Sequence, residues 1–165
     1  MSQTIKSKVV GPGEYVDLPE LGLSKVPARI DTGAYYSTIW ASDIILNNDG
    51  ASFVMFGPSS PFYTGERVSV PAKKVKTVKI VNSFGQAEQR LKLKLLIVVQ
   101  NRRIRGTFTL ADRSQKLYPI LLGKRLLTNK FLVDTSLNQP FSGKDKAKLR
   151  RDLPLSGQQF KKEQS

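Results

Sequence analysis

The sequence has no cysteine and no histidine. Without cysteine there are no disulfides and no thiol nucleophile, as expected of a cytoplasmic protein. Without either residue a catalytic zinc site has lost its usual ligands, and neither a Ser-His-Asp nor a Cys-His triad can be assembled. Hydrolytic chemistry is left to carboxylates, a Ser-Lys pair or an oxygen-ligated metal. No glycine-rich phosphate loop of the Walker or Rossmann type is present, so no nucleotide cofactor is expected, nor any other. Long apolar runs are missing too. The longest, Leu95-Leu96-Ile97-Val98-Val99, has the length of a strand and falls far short of the ~20 residues of a membrane helix, so no membrane partner is expected. The first ten residues, MSQTIKSKVV, lack an apolar h-region, so no secretory signal is expected.

Acidic residues are scarce beside basic ones: 13 against 27, for a formal charge of +14. Such an excess admits a nucleic-acid or ribosomal partner. In the body of the chain, however, the basic residues alternate with apolar ones (Lys92, Lys94; Arg103, Arg105), as on solvated strand faces. No aromatic RNA-binding signature accompanies them. A nucleic-acid contact through the basic tail, at 144–151 and 161–162, is not favoured.

Helical periodicity is nearly absent, while strand signals recur. Val9 to Pro19 reads as two short strands around Gly11-Pro12-Gly13, and Leu21 to Lys25 as a turn. Val26 to Ile30 reads as a strand, and Thr38 to Ile45 as another strand or a short turn. Asn47-Asn48-Asp49-Gly50 marks a hairpin that returns through Ser52 to Phe56. Residues 57–66, with Pro58 and Pro61, form a loop. Val75 to Val81 makes a strand, residues 82–86 a turn, and Leu91, Leu93 and Leu95 alternate with lysines. Asn101-Arg102-Arg103 leads into Ile104–Leu110. Pro119 to Gly123 reads as a buried strand, Lys124–Asn129 as a short helix and Lys130–Asp134 as a last strand. The expectation is an all-β closed barrel or sandwich with one short helix. A single domain covers residues 1–140, followed by a basic tail, 141–165, that is mobile or carries a short helix at 144–152.

The segment with most chemical content is Asp31-Thr32-Gly33-Ala34. An acidic residue delivered by a buried strand, then a hydroxyl, then a glycine, is the arrangement aspartic peptidases use. The motif occurs once, whereas that chemistry needs two carboxylates sharing a proton. A homodimer follows as an expectation. Val133-Asp134-Thr135-Ser136 offers half of a second loop, but serine stands where close approach requires glycine.

Taken in order, the Asp-Thr-Gly-Ala loop, a hairpin bearing Gly85, two further strands and Leu121-Leu122-Gly123 before a short helix resemble the retropepsins over residues 26–134. The chain is more similar still to a bacterial branch of retropepsin-like domains that carries the label ATP-dependent zinc protease. The matching segments are Gly11-Pro12-Gly13-Glu14-Tyr15-Val16-Asp17-Leu18-Pro19, Arg29–Ala34, Leu110-Ala111-Asp112-Arg113-Ser114, Pro119–Lys124 with Lys124 where arginine is usual, and Val133-Asp134. The zinc in that label has no histidine or cysteine to bind it here, and no metal is expected.

The resemblance implies a retropepsin-like closed β-barrel acting as a homodimeric aspartic endopeptidase on a peptide or protein substrate. Members of the branch occur beside an ATP-grasp ligase that modifies a ribosomal protein, which implies a ribosome-associated substrate. Asp31 is the expected catalytic carboxylate. Thr32 would bond across the dimer, and Gly33 would let the backbone approach with its N–H on the carboxylate. Ala34, Tyr35, Phe84 and Gly85 are candidate substrate contacts, with Phe84 and Gly85 on a flap. Leu122 and Gly123 would support the loop. Asp112 and Arg113 read as a structural ion pair supporting the site rather than as catalysts. The alternatives are a catalytically inactive retropepsin-like module that binds protein or the ribosome, and an RNA-binding barrel.

Overall fold

The computed structural model describes residues 6–137 and 139–152, and the fold is all-β. Eleven strands run in the order β1 (Lys8–Val10), β2 (Gly13–Leu18), β3 (Leu23–Asp31), β4 (Ser37–Asn47), β5 (Gly50–Met55), β6 (Arg67–Pro71), β7 (Lys76–Val81), β8 (Ala87–Val99), β9 (Arg102–Ala111), β10 (Ile120–Gly123) and β11 (Phe131–Val133). A one-turn helix, α1 (Lys124–Leu127), joins β10 to β11, and α2 (Gly143–Asp152) follows.

Six of these strands close into a ring. Strand β3 pairs with β2, β2 with β8, β8 with β9, and β9 with β4. The short strand β10 completes the circuit, lying parallel to β3 and antiparallel to β4. Closure leaves no edge on these strands and so removes the main liability of a small sheet. Strand β4 shows the transition in its own burial. Ser37 to Ala41 are all buried between β9 and β10, whereas Asp43 to Asn47 are exposed where β4 leaves the ring to pair with β5. A register shift between Ser42 and Ile45 marks the departure. Strand β6 extends this arm, and β7 with β8 forms a second projecting hairpin. Strands β1 and β11 make a separate parallel ribbon.

The core lies inside the ring. Ile39, Ile97, Phe108, Ile120 and Leu122 are completely buried, and side chains of this size each contribute about 1.5–3 kcal/mol on leaving water. The alternation of β8 places Leu91, Leu95, Ile97 and Val99 inside and Lys94 outside. Arg103 and Arg105 of β9 are likewise exposed. Those charges sit on wet strand faces, as their spacing predicts.

Most elements fall where the residue pattern puts them. Two differ. Strand β3 begins at Leu23, because Pro19–Leu21 forms a tight 3-10 turn ending at Gly22 and Leu23 already pairs with Leu18. Strand β6 follows the proline loop; its alternation, Val68-Ser69-Val70, spans only three residues before Pro71, and its residues are exposed or half-buried. Within the segment read as tail, the short helix expected at 144–152 is present as α2. Ser142 caps its start through hydrogen bonds with Asp145, and Phe141 meets Tyr118 edge-on at 4.9 Å. The rest of the expected tail, 153–165, lies outside the described residues. Among the described residues no helix is long and apolar enough to cross a membrane.

Candidate active site

Asp31 is the last residue of β3, paired across the sheet with Gly123 of β10. The chain then turns sharply. Gly33 and Ala34 donate their backbone N–H groups to Asp31 Oδ1 at 3.0 and 3.2 Å. These two donors fix the carboxylate on its own loop and leave Oδ2 for other partners. The N–H expected of Gly33 is therefore in place. The carboxylate is half-buried, while Thr32 and Gly33 are exposed, so the loop presents its acidic end outward from a single chain.

The following residues are clamped from the other side. Ala34 and Tyr35 carbonyls accept the N–H groups of Lys124 at 2.7 Å and Arg125 at 3.0 Å, at the start of α1. Gly123 N–H donates to Ser37 Oγ at 3.0 Å. A Cβ on Gly123 would lie 2.4 Å from the Tyr36 carbonyl oxygen and 2.9 Å from that of Ala34. Those are backbone atoms, so only glycine fits there. Leu122 is fully buried and registers with Ile30. The Leu-Leu-Gly segment thus holds the Asp-Thr-Gly loop by backbone contact.

A cleft of about 460 Å³ opens beside the loop. Gly33, Ala34, Tyr35 and Tyr36 form one wall, and Thr38, Thr109 and Leu121 lie at its base. The β7–β8 hairpin supplies the opposite wall through Lys79 to Val81 and Arg90. Thr38 and Thr109 hydroxyls satisfy each other at 3.0 Å, so the buried floor is polar without being charged. Tyr35 is 54% exposed and meets Tyr36 edge-on. Tyr36 in turn lies between two cations, Lys92 Nζ and the Arg125 guanidinium, at 5.8 and 5.7 Å from its ring centre. Both tyrosines therefore face the cleft.

The hairpin expected as a flap is formed by β7 and β8. Phe84 and Gly85 occupy the hairpin tip, outside the cleft, with Phe84 89% exposed. Gly85 adopts φ 78°, a conformation glycine takes without strain. Asn82 shapes the tip by accepting the N–H groups of Phe84 and Gln86. The cleft meets the strands just short of the turn, at Lys79 to Val81 and Arg90, and the tip itself is a solvated apolar point.

The expected ion pair between Asp112 and Arg113 does not form. Asp112 is exposed and its Oδ1 accepts the N–H of Ser114 at 2.8 Å, closing a local turn. Its neighbour points the other way. Arg113 is half-buried, donates Nε–H to the Tyr118 carbonyl at 2.8 Å and reaches the cleft. Two successive side chains leaving an extended segment diverge, so adjacency in sequence kept them apart. Burial pushes the guanidinium down to about 10; the charges of Arg90 and Arg29 add to that, and Asp31 opposes it. Arg113 therefore remains a cation at neutral pH, in the electrostatic field of Asp31. Lys79, Arg90 and the floor threonines escaped sequence reading. Their alternation marks one face of each strand, but which face meets Asp31 is decided by closure of the ring.

Asp134 does not complete the site. It follows β11 of the separate ribbon, and its Oδ1 accepts the N–H and hydroxyl of Ser136. These bonds hold its carboxyl below the usual range. Among the described residues no three His, Cys, Asp or Glu side chains cluster as metal ligands would.

A family model described as RimB-like, retropepsin-like aspartic endopeptidase RimB, matches residues 9–140. A protein of Desulfotalea psychrophila named "Probable alpha-L-glutamate ligase" is 30% identical over 140 residues, which are 83% of this chain and 30% of that protein. A protein of the same name from Shewanella pealeana is 30% identical over 131 residues, 78% of this chain and 28% of its own. The chain thus spans less than a third of the length of these curated relatives. They carry a ligase name and not the zinc-protease label. A crystal structure of a Legionella pneumophila protein of unknown function (DUF785) shares the fold at a TM-score of 0.58 and 22% identity, over 82% of this chain and 98% of that one.

Proposed function

Since the chain belongs to the RimB-like family of retropepsin-like aspartic endopeptidases, we propose that it hydrolyses peptide bonds with a dyad built from two copies of Asp31 across a homodimer. The observation that carries this reading is the Asp31 carboxylate, pinned through one oxygen by Gly33 and Ala34 and presented beside an open cleft, once per chain. Two such carboxylates meeting on a two-fold axis hold one proton between them, because both cannot ionise cheaply at close range. The ionised member takes a proton from a bound water. The water oxygen bonds to the scissile carbonyl carbon while the protonated member donates to the carbonyl oxygen. Collapse of the tetrahedral intermediate breaks the C–N bond, and the amine leaves with a proton from the dyad. No acyl-enzyme forms. Thr32, exposed beside the loop, would bond across the axis.

The substrate is an acidic polypeptide, in this reading, located in the cytoplasm and including a ribosome-associated protein. The relatives' name supplies glutamate, and the cleft supplies Lys79, Arg90 and Arg113 to receive it. The same name favours a second reading, in which this domain is a silent binding module beside a ligase that does the chemistry.

Incubation of the purified dimer with glutamate-rich peptides, with products read by mass spectrometry, separates the two. Internal cleavage that survives a metal chelator and serine- or cysteine-directed reagents supports the peptidase. Binding of the same peptides without cleavage supports the module.

The hairpin tip gives a further expectation. Phe84→Ser should leave stability unchanged, within about 0.5 kcal/mol, because the ring is already in water. It should lower kcat/KM about tenfold if the tip closes over bound peptide and excludes water. An unchanged kcat/KM would confine Phe84 to the outside of the site.

A further inference from the structure

We infer that Arg113 is the specificity residue of this cleft, and that its guanidinium pairs with a carboxylate on the substrate side chain next to the scissile bond. The inference rests on the peptidase reading and adds to it the group that selects the substrate.

Three cations line the cleft, and they are not equivalent. Arg90 is already engaged, donating from Nε and Nη2 to Glu88 Oε2 at 2.9 and 2.8 Å. Lys79 is exposed on the hairpin and is well solvated. Arg113 is half-buried, and among the described residues no carboxylate lies within 4 Å of it. Its one hydrogen bond among them uses Nε, to the Tyr118 carbonyl. That bond fixes the plane of the guanidinium and leaves both Nη groups as a fork. A desolvated cation without a counter-ion is costly and uncommon in a protein interior. Burial and two neighbouring arginines disfavour its charge, and Asp31 offsets them only in part. The penalty is relieved when a carboxylate enters the cleft and takes the fork in bidentate fashion. Asp31 acts on Arg113 only through its field and makes no ion pair with it among the described residues.

The two-fold axis adds a consequence. Each chain contributes one Arg113, so the assembled cleft holds a cation on both sides of the scissile bond. Runs of acidic residues suit it better than a single one. The Arg90–Glu88 pair on the hairpin leaves Arg90 with less to offer, so the preference belongs mainly to Arg113.

The test compares a glutamate-rich peptide with the same peptide carrying glutamine for glutamate. The wild-type protein should cleave the acidic peptide with kcat/KM at least about tenfold higher, mainly through KM, and the ratio should fall with added salt. Arg113→Gln should bring the ratio close to one. Arg113→Lys should retain part of it, since charge survives while the fork is lost. Arg90→Gln should keep most of the ratio. A ratio unchanged in Arg113→Gln, with the fold intact by circular dichroism, would overturn the assignment. If the wild type cleaves neither peptide, the peptidase reading fails by itself. Fluorescence anisotropy of the two labelled peptides then tests Arg113 separately: a binding preference for the acidic one that is lost in Arg113→Gln sustains it, and equal binding refutes it.

Discussion

Asp31→Asn is expected to reduce peptide cleavage at least about a thousandfold while the protein stays folded and dimeric. The side chains are nearly the same size, and the amide oxygen can still accept the N–H groups of Gly33 and Ala34, now at 3.0 and 3.2 Å from Asp31 Oδ1. The loop therefore keeps its shape. The proton chemistry does not survive. An amide can neither take a proton from water nor return one to the leaving amine, and removal of a positioned general base typically costs 10²- to 10⁴-fold, about 3–5 kcal/mol. Since both dyad members change at once in a homodimer, the loss should reach the upper part of that range. Steady-state kinetics on a cleavable peptide, beside sedimentation analysis of the variant, measures both parts. Retained cleavage would remove Asp31 from the chemistry.

Gly123→Ala is expected to injure the same site from behind, and to destabilise the fold as well. The new Cβ would meet the Tyr36 carbonyl at 2.4 Å and that of Ala34 at 2.9 Å. Neither is the free end of a flexible side chain. The strand β10 and the loop after Asp31 would have to part, and the bonds that bridge them, Lys124 N–H to Ala34 and Gly123 N–H to Ser37 Oγ, would stretch with them. Overpacking of this kind costs about 3 kcal/mol, which for a domain of this size lowers Tm by roughly 10 °C. Activity should fall further than the loss of folded protein explains, because the displaced loop carries Asp31. Thermal unfolding and kinetics on the folded fraction check the two effects. An alanine variant with the Tm and kcat of the wild type would contradict the clamp.

Most strands were legible because their signals are local. The alternation of β8, the Asn-Asp-Gly turn before β5 and the apolar run of β10 each announce an element without knowledge of the rest. The Asp-Thr-Gly and Leu-Leu-Gly segments could be paired by their order along the chain, and the structure places Asp31 and Gly123 in register. What escaped depends on closure. Strand β6 is held by pairing with β5 and buries little of its own. Lys79 and Arg90 are ordinary alternating cations until the hairpin folds over the loop. Arg113 looked like half of an ion pair because Asp112 is adjacent, but an extended backbone turns neighbours to opposite sides. The flap tip was legible as a turn; that the cleft is lined by the strand residues before it, and not by Phe84 and Gly85, was not.

The central claim is that Asp31 acts only with its own copy, and mixing tests it most directly. Wild-type and Asp31→Asn chains are refolded together at increasing proportions of the variant, and activity is expressed per wild-type chain. With random pairing, a ninefold excess of variant leaves only about one wild-type chain in ten with a wild-type partner. The account predicts that activity per wild-type chain falls to about one-tenth. Activity per wild-type chain that stays constant across the series would show that a single chain carries a complete site, and would contradict it.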